Sequence, residues 1–174
     1  MWAKQKQQTG FTIVELLIVV VVIAILASIT IVSFNGIQQR ARNAQTISAV
    51  ADYIKIYSSY AVENNQYPGS GNYCLGAEYA GGLCWDNRTY VENNTAKIAL
   101  LKYVSNLPNP SATRVYRNAT DGYRAGILFV NDNSLRYQLE GVDTQCGISG
   151  ATRWITAGES TGPECNVGIP DATL

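Results

Sequence analysis

The chain has 174 residues, thirteen Lys+Arg against thirteen Asp+Glu, four cysteines and no histidine. That length allows one ordinary globular domain plus an extra element. Setting Lys4 and Lys6 aside leaves eleven basic residues against thirteen acidic ones. Such a balance argues against a nucleic-acid binder that works by neutralising phosphates. Without histidine, Ser-His chemistry and zinc sites lose their commonest part.

The chain opens with a basic, glutamine-rich head, then "TGFTIVELLIVVVVIAILASITIVSF". Nineteen consecutive residues, Leu16 to Phe34, carry no charge, and fourteen of them are Leu, Ile, Val or Phe. At about 0.3 to 0.6 kcal/mol each near a helix centre, they favour membrane insertion by roughly 4 to 8 kcal/mol. Glu15 at full depth opposes this by about 2.5 to 3.5 kcal/mol, so a transmembrane helix is expected. A cleaved secretory signal fits poorly, because "AILASI" is a weak cleavage site and the apolar run continues past it. A plain signal-anchor fits hydropathy as well. Lys4 and Lys6 before the helix nearly balance Arg40 and Arg42 after it. The cysteines decide the orientation: Cys74, Cys84, Cys146 and Cys165 all follow the apolar run, with no C-x-x-C pair. They read as two disulfides in an oxidising space, which puts the large domain outside and the head in the cytoplasm. Three connectivities fit the count; Cys74–Cys84 with Cys146–Cys165 closes the shortest loops and is the expected one.

"TGFTIVELLIVVVVIAIL" resembles the processing site and first helix of type IV pilins and of the related pseudopilins of type II secretion. The resemblance covers about thirty residues. It implies a cytoplasmic leader of residues 1–10 removed by a prepilin peptidase after Gly10, and N-methylation of the new terminal residue, Phe11. It also implies a helix at 11–35 that is transmembrane before assembly and forms the filament core after it, and a head at 36–174. Glu15 is implied in assembly by charge pairing: within one chain it meets the Phe11 ammonium at i,i+4 spacing, and in a filament the amine of a neighbour. The partners implied are other copies of the chain, the peptidase, an inner-membrane assembly platform and membrane lipid. The locations implied are the cytoplasmic membrane for the precursor and the cell surface for the pilus. One departure stands out: Val32 occupies the position where the family often has a helix-kinking proline. Any helix weakening is therefore expected nearer Asn35 and Gly36.

Beyond Gly36 the periodicity continues. Ile37, Ala41, Ala44, Ile47, Val50, Ile54, Tyr57 and Ala61 recur at steps of three and four, predicting one helix from Thr12 to about Glu63, near 75 Å long. "ENNQYPGSG" ends it, and residues 70–90 read as a loop. "TAKIALLKYV" (95–104) suggests a short helix. "TRVYRN" (113–118), "YRAGILFV" (123–130), "LRYQLEGV" (135–142) and "TRWIT" (152–156) suggest strands, the middle two forming a hairpin. An α+β, pilin-like fold follows, with three or four antiparallel strands on the helical stripe and a disulfide-bounded C-terminal loop from Cys146 to Cys165. Asn131, Asp132 and Asn133 resemble part of a calcium loop but lack the glycine and glutamate of EF-hand spacing. A hairpin turn is expected there, and no cofactor, with calcium as the sole candidate. Most of the eleven tyrosines read as sheet and helix packing residues. The expected function is a pilus subunit; the alternatives are a pseudopilin of a secretion or DNA-uptake machine, and a monomeric anchored surface protein. No nucleophile–base constellation suggests an enzyme.

Overall fold

The computed structural model describes residues 11–76, 79, 83–85, 90–118, 122–131, 133–142, 144–154 and 162–170, the side chains of Val32, Ser33 and Asn118 excepted. The elements are α1 (Ile13–Asn64), β1 (Tyr73–Leu75), α2 (Asn94–Leu100), β2 (Val115–Asn118), β3 (Gly122–Arg124), β4 (Ile127–Val130), β5 (Ser134–Gln138), β6 (Thr152–Trp154) and β7 (Glu164–Gly168). Contacts divide the chain into two units, meeting at Gln38 and Gln39.

In the first unit every described side chain from Phe11 to Gln38 is exposed. The hydroxyls of Ser28 and Thr30 donate to the Ala24 and Ala27 carbonyls of their own helix, at 2.8 and 2.9 Å. Both hydroxyls are thereby satisfied locally, as a lipid environment demands. Asn35 and Gly36 are helical.

In the second unit, the later part of α1 ends on Asn65. This residue takes the left-handed conformation (φ 53°) while its N–H donates to Ala61 O at 2.8 Å, an αL cap that asparagine tolerates. The sheet order is β1-β4-β5-β7-β6, antiparallel throughout, with β2 and β3 forming a separate ribbon. β4 is buried on both faces. Ile127 and Phe129 face α1 in a cluster with Val50, Tyr53, Tyr57, Leu135 and Tyr137. Leu128 and Val130 face a smaller cluster with Cys74, Tyr79, Cys84 and Trp85. Phe129 stacks between Tyr57 and Tyr73, at centroid distances of 5.2 and 4.8 Å. The buried tyrosines are therefore packing residues.

Four details differ from the expected pattern. The 123–130 segment is two strands, because Gly126 (φ +60°) redirects the chain so that β3 joins β2 while β4 joins β1 and β5. A Cβ at Gly126 would also lie 2.0 Å from the Tyr79 hydroxyl, so only glycine fits. The 70–90 segment contains β1, and the C-terminal loop contains β7, which lies between β5 and β6. The sheet therefore has five strands rather than three or four. Finally, the inward face of α1 begins with Asn43 and Thr46, whereas Ile37, Ala41 and Ala44 are exposed. The reason is hydrogen bonding: Asn43 Nδ2 donates to Glu140 O and Asn43 Oδ1 accepts from Glu140 N, both at 2.9 Å. Thr46 Oγ1 accepts from Ser111 N at 3.2 Å. These side chains replace strand partners for half-buried loop backbone, which apolar residues could not do.

Candidate functional site

The site begins at the first turn of α1. Thr12 is the N-cap residue and Glu15 the third helical residue, and they bond reciprocally. Glu15 N donates to Thr12 Oγ1 at 3.3 Å, and Thr12 N donates to Glu15 Oε2 at 2.8 Å. The Thr12 hydroxyl also donates to Oε2, at 2.8 Å. This is a capping box, two orphan donors satisfied by the two side chains. The "TIVE" spacing carries that signal, and a reading focused on the Phe11–Glu15 pair passes over it. Both bonds use Oε2, which thus holds the helix start, and Oε1 has no partner among the described residues. Phe11 lies just outside the helix and is 83 % exposed. Gly10 lies outside the described residues.

Behind this turn runs an apolar surface with no cover. α1 is long and apolar enough to cross a membrane, and the apolar window has no buried residue. Leu16, Ile18, Val22, Leu26 and Ile29 are all exposed. Exposed apolar area on this scale marks a surface that needs lipid or protein against it.

The second unit carries two polar clusters that sequence reading missed. Gln39, Arg42 and Asn43 converge on Glu140: Arg42 binds its carboxylate through two 2.7 Å hydrogen bonds, and Gln39 Nε2 reaches its carbonyl at 3.0 Å. Glu164 on β7, 2 % exposed, accepts from Arg117 of β2 and Arg124 of β3, with Arg136 of β5 at 3.9 Å. The Arg124 guanidinium also stacks on Trp85 at 4.0 Å. No local spacing announces either cluster, since the partners lie far apart in the chain.

The disulfides are Cys74–Cys84 and Cys146–Cys165, each with Cα atoms 5.7 Å apart. The first lies in the smaller cluster, the second in the main core. Asn131 and Asn133 belong to the β4–β5 turn: Asn131 Oδ1 accepts from Gly71 N at 3.3 Å, and Asn133 N donates to Val130 O at 3.0 Å. Asp132 lies outside the described residues. Among the described residues no three His, Cys, Asp or Glu side chains gather as a metal site would require.

Residues 5–31 match the family described as the prokaryotic N-terminal methylation motif. The chain thus carries this N-terminal motif together with a long apolar helix and a small antiparallel sheet, an α+β, pilin-like architecture. Its relatives include the type IV wide pilus major component PilA4 of Thermus thermophilus, 28 % identical over 101 residues, which cover 44 % of this chain and 77 % of that protein. They also include the type II secretion system core protein G of Aeromonas hydrophila, 29 % identical over 65 residues (37 % of this chain, 46 % of the relative). The core protein G of Vibrio cholerae is 31 % identical over 65 residues (37 % and 44 %). The chain thus spans less than half the length of these two secretion proteins. No solved structure matches.

Proposed function

We propose that the chain is a structural subunit of a type IV pilus rather than an enzyme. A prepilin peptidase removes residues 1–10 after Gly10, and Phe11 becomes the methylated N-terminus. Residues 11–35 hold the precursor in the cytoplasmic membrane, head outside, and then form the filament core among other copies, with 36–174 as the surface-exposed head. The observation that carries this reading is the pairing of Glu15, one oxygen open, with an uncovered apolar helix. A carboxylate in lipid gains greatly from a cation. Cleavage supplies one as the Phe11 amine, and a helix packing in correct register brings a second from its neighbour. The assembly platform and peptidase are the protein partners, lipid the partner before assembly, and the head takes no cofactor in this role.

A specific observation favours a second reading. The type II secretion relatives match at 27 to 31 % over 62 to 65 residues, as a pseudopilin would. PilA4, aligned over 101 residues, supports the pilus reading further along the chain. Mass spectrometry of sheared surface filaments separates the two. Recovery of this polypeptide beginning at methylated Phe11 supports the pilus; a processed chain confined to the cell envelope supports the pseudopilin. A chain retained in the membrane with Met1 to Gly10 intact would overturn both. Glu15→Val is expected to insert and be processed but to assemble poorly, and normal filaments from it would refute the pairing role.

A further inference from the structure

A cavity of about 270 Å³, partly open to solvent, lies between the later part of α1, β1 and α2. Its deep walls are apolar: Tyr53 and Leu100 are fully buried and Leu75 nearly so, with Leu107 completing them. The cavity also borders one charge of each sign. Lys97 Nζ and Glu92 Oε2 stand 3.0 Å apart, both side chains partly exposed. Of the other polar groups nearby, the buried Tyr53 hydroxyl has no hydrogen-bond partner among the described residues, and two are engaged. Tyr73 donates to Pro68 O at 2.6 Å and meets the Tyr57 hydroxyl at 2.9 Å, and Asn93 Oδ1 caps α2 through Ala96 N at 3.1 Å.

This combination is selective. A 150 Å³ apolar cavity suffices for benzene, so the space here takes one ring with a short substituent. Leucine walls exclude a charged group from the interior, and they offer an ordered water too few of the two to four polar partners it needs. The charges at the border are a different matter. A partly exposed Lys–Glu pair holds weakly, so it can open around a ligand that presents an anion to Lys97 and a cation to Glu92. We propose that the cavity binds a free α-amino acid with a ring side chain, such as L-phenylalanine: the ring enters between Tyr53, Leu100 and Leu107, the carboxylate meets Lys97 and the ammonium meets Glu92. No residue of the apolar first part of α1, 11–38, lines it.

The test is an NMR titration of the full-length chain in detergent micelles with L-phenylalanine, observing the methyls of Leu75, Leu100 and Leu107. Saturable shifts confined to these residues are expected, with none from L-alanine, which has the zwitterion but no ring. Phenethylamine and 3-phenylpropionate, each lacking one charge, are expected to bind about tenfold more weakly, the loss of one charge-assisted hydrogen bond. Lys97→Met is expected to remove the preference for L-phenylalanine over phenethylamine. Glu92→Gln should do the same against 3-phenylpropionate. Unchanged Leu135 and Val167 methyls verify that the variants fold. Absence of saturable shifts overturns the proposal. So does equal binding of all three ring compounds, or a preference that survives both variants.

Discussion

Glu164→Gln tests the internal wiring of the head directly. The carboxylate is 2 % exposed and receives Arg117 and Arg124, themselves 8 % and 7 % exposed, from the two strands of the β2–β3 ribbon. Because β7 lies inside the five-stranded sheet, this one acid ties the ribbon to it. Glutamine keeps the shape and one acceptor but removes the charge, leaving two buried guanidiniums without it. Removing one partner of a buried ion pair costs about 3 to 5 kcal/mol, a large part of the roughly 5 to 15 kcal/mol that holds a domain together. Thermal unfolding of the full chain in micelles should fall by about 10 °C or more. Amides of the ribbon should exchange faster than those of β4 and β5, and Trp85, on which Arg124 stacks, should report the loosening in its fluorescence. High salt should change the wild-type midpoint little, since the pair is shielded from solvent ions. A loss below about 1 kcal/mol, with the ribbon still protected, would refute the assignment of Glu164 as its tether.

Other outcomes follow from the same structure. Thr12→Ala removes the N-cap side chain and should weaken the first turn of α1 by about 1 kcal/mol, read as faster amide exchange at Ile13 to Glu15. Asn43→Ala deletes both side-chain bonds to the Glu140 backbone and should destabilise the head by about 2 kcal/mol in denaturant unfolding; a neutral result would mean that water replaces the amide. Burial pushes the phenols of Tyr53, Tyr57, Tyr73, Tyr79 and Tyr137 above their ordinary range. Their folded pKa values therefore exceed the unfolded ones, so stability is full below about pH 10 and is lost above it, at about 1.4 kcal/mol per pH unit for each. Tyrosinate absorbance should then rise together with unfolding, not before it. Replacing Cys146 and Cys165 by serine opens a loop with a sequence separation of 19 and should cost about 3 kcal/mol, measured by denaturant midpoint.

How much of this was legible beforehand depended on the distance over which each signal acts. The helix was readable because its apolar run and its steps of three and four are local. The β4–β5 hairpin was readable because its turn residues stand beside its strands. β7 was not: "ECNVG" is short and contains few strand-forming residues, and it is a strand because β5 and β6 flank it. Arg117, Arg124 and Glu164 were illegible for the same reason. Asn43 and Thr46 misled a search for an apolar stripe, since what their positions require is hydrogen bonding to loops that only the folded head brings near. At the N-terminus the relevant residues were recognised, but the Thr12 hydroxyl, which orients Glu15, was passed over in favour of the longer-range charge pairing.

The place of β7 has a consequence for the order in which the head can mature. Among the described residues it is the last strand in sequence, yet it separates β5 from β6 and brings both Glu164 and Cys165. Until β7 is in place, β5 lacks its second neighbour, the β2–β3 ribbon lacks the Glu164 carboxylate and Cys146 lacks its mate. A head that has not yet placed this strand is therefore an unfinished object with an open edge, exposed to aggregation and to the wrong thiol.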